Sequence, residues 1–329
     1  MSIATEVGEI VRVGGDHLAA LLERVEERLA ALSAGNGPVL TGLAGDTITA
    51  GGKRLRPLLV LLAAGEPGGE QAQDALVRAA TAVELIHSAT LVHDDVLDGA
   101  ALRRGRPTVV AAAGRAMATA TGDLLFARAF ADLAAGGDPD AIRVLSAASS
   151  ALAAGELMQR ADAWDADVPV ERYLRRCELK TARLFEAACE LGALAVGADR
   201  ARVEALGAFG RRIGLAFQLL DDVLDVSGPA ERTGKHRGTD LLDGTVTLPF
   251  ILARQADPAL AALDPRTIAD ARAAEAVCER IGATHAVERA REWALEMVAE
   301  AKRRLPDGLP PRQRRALELV AEGVVVRYS

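Results

Sequence analysis

The chain has 329 residues, 50 % of them hydrophobic and 26 % charged, with 46 acidic against 39 basic side chains and a formal net charge of −7. That balance belongs to a globular protein with room for a large buried core, and it excludes a disordered or collagen-like chain. The acidic excess and an aromatic content of 3 % argue against a nucleic-acid surface and against stacking platforms for single strands.

Taken in chain order, the opening stretch Met1 to Ile10 carries Glu6 and Glu9 and no apolar run, so no secretory signal is expected. Leu18, Leu21, Leu22, Val25 and Leu29 recur at helical spacing, with Glu23, Arg24, Glu26, Glu27 and Arg28 on the other face. Beyond a turn cluster at Gly35 to Pro38, the segment Gly51-Gly52-Lys53-Arg54-Leu55-Arg56-Pro57 opens an apolar helix, with Pro57 in its first turn. The longest apolar run, Leu58 to Ala64, is far short of the roughly 20 residues that span a bilayer, so no integral membrane segment is expected. Helical patterning resumes after Gly65 to Gly69 and runs into Asp94-Asp95-Val96-Leu97-Asp98. Further breaks fall at Gly136 to Pro139, Gly228-Pro229 and Pro306 to Pro311. No period-two strand, tandem repeat or linker stands out. The prediction is an all-α protein, one domain over residues 1–329 with about ten or more helices. Cys177, Cys189 and Cys278 lack any CxxC spacing and read as reduced thiols of a cytoplasmic protein.

One pentapeptide occurs twice: Asp94 to Asp98 and Asp221 to Asp225 are identical, about 130 residues apart, each after an apolar helical run. In a helix, residues i and i+4 share a face, so Asp94 pairs with Asp98 and Asp221 with Asp225. Two like charges ~6 Å apart repel by roughly 3 kcal/mol at an effective dielectric of about 20. A compensating cation is therefore expected at each cluster. Carboxylates without His or Cys beside them favour Mg²⁺, with Mn²⁺ as the substitute, and such an ion completes its shell with water and phosphate. Two facing clusters would suit a bridged diphosphate. Basic groups stand beside Gly turns at Lys53 and Arg56, and at Arg103-Arg104 in Leu102 to Thr108, where Arg offers phosphate a planar fork. His87, upstream of Asp94, is a candidate donor to a diphosphate, whereas His93 reads first as a hydrogen-bonded core residue. Lys180-Thr181, Gln218 and Lys235 are further polar groups beside apolar helical segments.

With these segments assembled, the chain resembles the trans-isoprenyl diphosphate synthases of the polyprenyl synthetase family over nearly its whole length. The resemblance rests on GGKRLRP at 51–57, ELIHSATLVHDDVLD at 84–98, RRGRPT at 103–108, KT at 180–181, FQLLDDVLD at 217–225 and GKHRGTDLLDGTVTLP at 234–249. It implies a helical bundle around a central apolar pocket, the isoprenoid synthase fold. It also implies a homodimer, and an Ala-rich helix face would allow close packing. The implied substrates are isopentenyl diphosphate and an allylic diphosphate. By this resemblance Asp94, Asp95, Asp98, Asp221, Asp222 and Asp225 form the metal set. Arg103, Lys180, Thr181, Gln218 and Lys235 contact the allylic diphosphate. Lys53, Arg56, His87 and Arg104 bind isopentenyl diphosphate, and Asp94, Asp98, Lys180 and Asp221 carry the catalysis. Thr245 departs from the pattern, since many members have Lys there.

Ala89 and Thr90 stand five and four residues before Asp94, where short-chain members often place an aromatic side chain. Small residues let the product grow past that point, so hexaprenyl to decaprenyl diphosphate is expected, with geranylgeranyl diphosphate as the alternative. Phe126 and Phe130 read as ordinary core ahead of a role as a later stop. A class I terpene cyclase usually lacks GGKRLRP, RRGRPT and the second Asp motif. A non-catalytic partner subunit would be expected to lose both Asp motifs. A phosphohydrolase built on His93-Asp94 would need more histidine ligands than the five in the chain supply.

Overall fold

The computed structural model describes residues 3–34, 42, 43, 45, 48, 54–103, 105–228 and 237–326. The architecture is all-α, as the periodicity predicts, and the chain forms two compact units. The first comprises Met1–Ser149, Leu184–Gly210 and Arg304–Val320; the second comprises Ser150–Arg183, Arg211–Arg303 and Ala321–Ser329.

The first unit begins with α1 (Ile3–Gly14) and α2 (His17–Ser33), followed by α3 (Leu55–Ala64) and the long α4 (Glu70–Asp98). The α2 stripe is buried at Leu18, Leu21, Val25 and Leu29, with Leu22 at its margin. Each such burial is worth roughly 1.5–3 kcal/mol relative to exposure. The charged face of α2 is used as well: Arg28 forms a fork on the buried Asp132, which also accepts from Arg78 at 3.1 Å. Two cations on one carboxylate supply the partners that a buried charge requires.

After α4 the chain makes the one ladder among the described residues, a hairpin of β1 (Leu102–Arg103) and β2 (Arg106–Pro107) with Arg103 opposite Arg106. Two residues per strand are too few for a period-two signal in the sequence. The next helix, α5 (Val109–Ala134), is capped by Thr108, whose hydroxyl accepts from Ala111 N at 3.2 Å, and it bends at Gly114. It packs against α4 as an antiparallel neighbour. The approach is close at Gly122, where a Cβ would lie 2.2 Å from His93 Nε2. The unit is completed by the first part of α6 (Pro139–Ala161), α8 (Arg183–Ala195), the first part of α9 (Arg200–Ser227) and most of α15 (Pro311–Val326).

The second unit takes the remainder of α6, α9 and α15 together with α7 (Val170–Cys177), α10 (Thr239–Leu242), α11 (Leu248–Ala256), α12 (Pro258–Ala261), α13 (Ala271–Gly282) and α14 (Ala286–Arg303). Between α7 and α8 the helix widens into a π turn at Glu178–Ala182. Asp side chains start the short elements: Asp257 caps α12 through Ala259 N at 2.8 Å, and Asp270 caps α13 through Ala273 N at 2.8 Å. Along α14 the buried residues are Ala286, Val287, Ala290, Ala294, Val298 and Ala301, small enough for a close seat on α11.

By length and composition, α4 and α6 are long and apolar enough to cross a membrane, with mean hydropathies of 1.3 and 1.2 over 18 residues. A search for uninterrupted apolar runs passes over both, because single polar residues punctuate them. The apolar stretch of α4 is 72 % buried, as in a core helix, whereas that of α6 is 28 % buried.

Candidate active site

The two Asp motifs occupy equivalent places on α4 and α9, near the C-terminal end of a long helix, and belong to different units. Helical geometry separates their three carboxylates. The first and last Asp are ~40° apart around the axis, while the second is turned by about 100°. Accordingly Asp94 is half-buried and Asp98 exposed, whereas Asp95 is buried. In the second motif Asp221 is exposed, Asp225 half-buried and Asp222 buried.

The buried members have protein partners. Asp95 Oδ1 accepts from Arg103 Nε at 2.9 Å and Nη2 at 2.7 Å. That ion pair pins the hairpin to the end of α4, and the Thr108 hydroxyl adds a bond to the Ala100 carbonyl. Asp222 accepts from Tyr173 Oη at 2.7 Å and from Gln218 Nε2 at 2.8 Å, while Gln218 Oε1 accepts from Thr181 Oγ1 at 2.6 Å. Burial pushes the Asp222 carboxyl up to about 7, against the downward pull of the Tyr173 and Gln218 bonds. Burial and the nearby Asp222 charge raise the Tyr173 hydroxyl well above its ordinary range. Asp95 and Asp222, counted with the metal set from sequence, are thus committed to the interior. Arg103, counted as a diphosphate contact, spends part of its fork on Asp95.

Asp225 has a double engagement. Its carboxylate accepts from Thr239 N at 3.1 Å and Asp240 N at 3.2 Å, capping α10, and its carbonyl accepts from Gly238 N at 2.9 Å. The motif therefore anchors the segment that carries Thr245, whose own amide donates to the Asp240 carbonyl at 2.8 Å. The far end of that segment is held by Trp164 N on the Gly244 carbonyl at 2.8 Å and by Arg176 on the Val246 carbonyl.

Lys180 lies in the π turn and ion-pairs with Glu156 on α6. Burial, the largest single influence, would raise the Glu156 carboxyl, but the charges and hydrogen bonds of Lys180 and Arg160 together lower it. The pair depends on a small residue next door. A Cβ on Gly155 would stand 2.4 Å from Lys180 N and 2.8 Å from its Cα, so only Gly lets α6 meet the π turn this closely.

At the basic end of α3, Arg56 stacks over the Phe185 ring at 4.7 Å. His87 is half-buried on α4. Lys53, Arg104 and Lys235 lie outside the described residues. Ala89 is fully buried, and the Thr90 hydroxyl turns back to the His87 carbonyl at 2.7 Å. His93 faces α5: its ring stacks on Phe126 at 5.8 Å and its Nε2 is 3.4 Å from Asp123. Ala89 lies one turn further toward the N-terminus of α4 and Phe130 one turn further along α5. Because the two helices are antiparallel, both steps run in the same direction.

Four partners escaped the sequence reading: Tyr173, Glu156, Arg176 and Glu84. Tyr173 and Asp222 are 49 residues apart and Glu156 and Lys180 are 24 apart, so no local spacing links them. One compositional signal existed, since Tyr173 is one of only two tyrosines in the chain.

The donor set fits a hard divalent cation. The outward groups of each motif are carboxylates alone, and His93 is turned away from them toward α5. Among the described residues no three His, Cys, Asp or Glu side chains converge as a closed metal cage. An ion here would rest on one or two carboxylates and take its other ligands from water and phosphate, the usual manner of Mg²⁺.

Residues 38–282 match the family model described as polyprenyl synthetase. A heptaprenyl diphosphate synthase component 2 from Geobacillus stearothermophilus is 43 % identical over 306 residues, 92 % of each chain. The octaprenyl diphosphate synthase of Escherichia coli is 39 % identical over 243 residues, covering 70 % of this chain and 75 % of that one. A solved polyprenyl synthase from Caulobacter crescentus, complexed with calcium and isoprenyl diphosphate, superposes with a TM-score of 0.90 at 35 % identity over 98 % of both chains. The helical architecture is the isoprenoid synthase fold, and the chain belongs to the polyprenyl synthetase family of trans-isoprenyl diphosphate synthases.

Proposed function

We propose that the enzyme condenses isopentenyl diphosphate with an allylic diphosphate to give an all-trans polyprenyl diphosphate, hexaprenyl to decaprenyl in length. The observation that carries this reading is the repeated DDVLD segment, each copy closing a long helix with its first and last Asp less buried than its second. Asp94 with Asp98, and Asp221 with Asp225, hold Mg²⁺, with Mn²⁺ as the substitute. When bound, the metal stabilises negative charge developing on the diphosphate leaving group. Asp95 ties the end of α4 to its hairpin through Arg103, and Asp222 ties α9 to α7 through Tyr173.

Arg103, Lys180, Thr181, Gln218 and Lys235 orient the allylic diphosphate. Lys53, Arg56, His87 and Arg104 hold isopentenyl diphosphate with its double bond toward the allylic carbon. The allylic carbon–oxygen bond breaks with its electron pair going to diphosphate. The double bond then attacks the cation, and the proton is lost to the departing diphosphate. Apolar helix faces exclude the water that would trap the cation as an alcohol.

We assign product length to Ala89 and Thr90, small residues on α4 about one turn before His93, which stacks on Phe126. The protein acts as one polyprenyl synthetase domain over residues 1–329, a reading supported by four of the five unit boundaries falling inside continuous helices. A homodimer is supported by the apolar surface of α6, where Leu157 is 72 % exposed. A cytoplasmic setting is supported by three buried free thiols; burial pushes that of Cys278 up to about 12. A second reading adds a partner subunit, because the Geobacillus relative is named as a component of its enzyme.

The test incubates purified protein with Mg²⁺, labelled isopentenyl diphosphate and, separately, dimethylallyl, geranyl, farnesyl or geranylgeranyl diphosphate, then sizes the products by mass spectrometry. A ladder ending between hexaprenyl and decaprenyl is expected. A single geranylgeranyl product would overturn the length assignment. No elongation by folded protein would favour the partner-dependent reading.

A further inference from the structure

The basic run at the start of α3 contains three cations, Lys53, Arg54 and Arg56, and the middle one is spent inside the protein. Arg54 bonds Glu26 through Nε and Nη2, the latter at 2.9 Å. Its Nη1 donates to Glu84 Oε1 at 2.7 Å, and Nη2 also donates to the Ile48 carbonyl at 2.9 Å. Glu84 is 5 % exposed. A guanidinium engaged by two carboxylates and a carbonyl has little left to offer a diphosphate.

Its backbone is as telling as its side chain. Arg54 has φ 47° and ψ 36°, a left-handed conformation, at the residue that caps α3. That geometry is sterically disfavoured for any residue with a Cβ. The Arg54 carbonyl nevertheless begins the helix, accepting from Leu58 N at 2.9 Å. Arg54 is therefore the left-handed turn immediately before the helix that carries Arg56. Glu84 fixes this corner from α4, three residues before His87 and so on the same helical face.

We infer that Glu84 and Arg54 are positioning residues for isopentenyl diphosphate: their buried ion pair holds the left-handed corner that aims Arg56 at that diphosphate. Neither touches the substrate. This rests on the proposed assignment of Lys53, Arg56 and His87 to isopentenyl diphosphate. It adds a determinant of affinity that lies in a carboxylate, the charge opposite to that of the binding groups. Glu84 lowers the local positive potential, so simple electrostatics would have its removal tighten diphosphate binding; the clamp predicts the reverse.

The test compares Glu84→Gln, Arg54→Lys and Arg56→Gln in the full-length enzyme with Mg²⁺. The rate is measured against isopentenyl diphosphate at saturating farnesyl diphosphate and against farnesyl diphosphate at saturating isopentenyl diphosphate. Glu84→Gln and Arg54→Lys are expected to raise KM for isopentenyl diphosphate about tenfold, the scale of a modest misalignment, with kcat and KM for farnesyl diphosphate within about twofold. If Arg56→Gln raises that KM while the other two variants leave it unchanged or lower it, the clamp is refuted and the substrate assignment stands. If Arg56→Gln has no effect, the assignment itself falls and the inference with it. Equal losses in kcat and both KM values, with a lower Tm, would make the pair a purely structural tie and also refute it. Arg54→Lys keeps the test decisive if Glu84→Gln does not fold.

Discussion

Replacing Tyr173 by Phe removes one hydroxyl from a buried site and leaves the ring in place. That hydroxyl donates to Asp222 Oδ2 at 2.7 Å, and burial holds the Asp222 carboxyl up at about 7. The cost should therefore depend on pH. Well above 7 the acceptor is a carboxylate, and its hydrogen bond is worth about 1.5–3 kcal/mol; well below, the acceptor is neutral and the bond is worth about 0.5–1.5 kcal/mol. The difference, roughly 1 kcal/mol, corresponds to an upward shift of about 0.7 unit in the Asp222 carboxyl of the variant. The sign is fixed by linkage. Asp222 binds its proton more tightly folded than unfolded, so its contribution is fully present below its ordinary value of 3.8 and is lost as pH rises through about 7. Tyr173→Phe makes that loss larger by extending it about 0.7 pH unit higher, and Asp222→Asn abolishes it. Urea denaturation of metal-free protein at pH 5.5 and 8.5, run as a double-mutant cycle, measures both effects. A penalty under ~0.5 kcal/mol at both pH values, or a coupling energy that ignores pH, would refute the reasoning.

Three further outcomes follow from named contacts. Gly155→Ala drives a methyl into the backbone of Lys180, which cannot swing aside. It should lower stability by about 1–3 kcal/mol despite the better helix propensity of Ala, and raise KM for the allylic substrate; a higher Tm in calorimetry would contradict this. Ala89→Phe should shorten the product to geranylgeranyl diphosphate or less in the mass-spectrometric assay, and an unchanged ladder would separate Ala89 from the growing chain. Thr245→Lys adds a cation to the segment tied to Asp225 and should lower KM for the allylic diphosphate about threefold to tenfold, with no change marking the position as outside contact range.

Much of this was readable from spacing, and the residues show where spacing stops. The pairing of Asp94 with Asp98 and of Asp221 with Asp225 follows from the helical period. So does the inward turn of Asp95 and Asp222, although a list of carboxylates conceals it. The stripe of α2 was readable for the same reason. What spacing cannot supply is the identity of a partner brought in from another helix. Tyr173 for Asp222, Glu156 for Lys180 and Glu84 for Arg54 are all products of tertiary packing. A basic run looks like three equivalent cations until the fold shows one facing two glutamates. The two-residue strands at Leu102–Arg103 and Arg106–Pro107 sit below the length at which alternation can be recognised.

The α15 end of the first unit has a consequence for the order of folding. Gln313 is buried, and its Nε2 donates to the carbonyls of Leu62 and Ala63 at 2.8 and 2.9 Å, where α3 ends. These groups are 251 and 250 residues apart. At a synthesis rate of ~5–20 residues per second, the carbonyls wait roughly 12–50 s on the ribosome before their donor exists. During that interval the end of α3 is either hydrated or held by a temporary partner. Completion of the first unit is thus a late, non-local event, and refolding after denaturation should be slow for a helical protein.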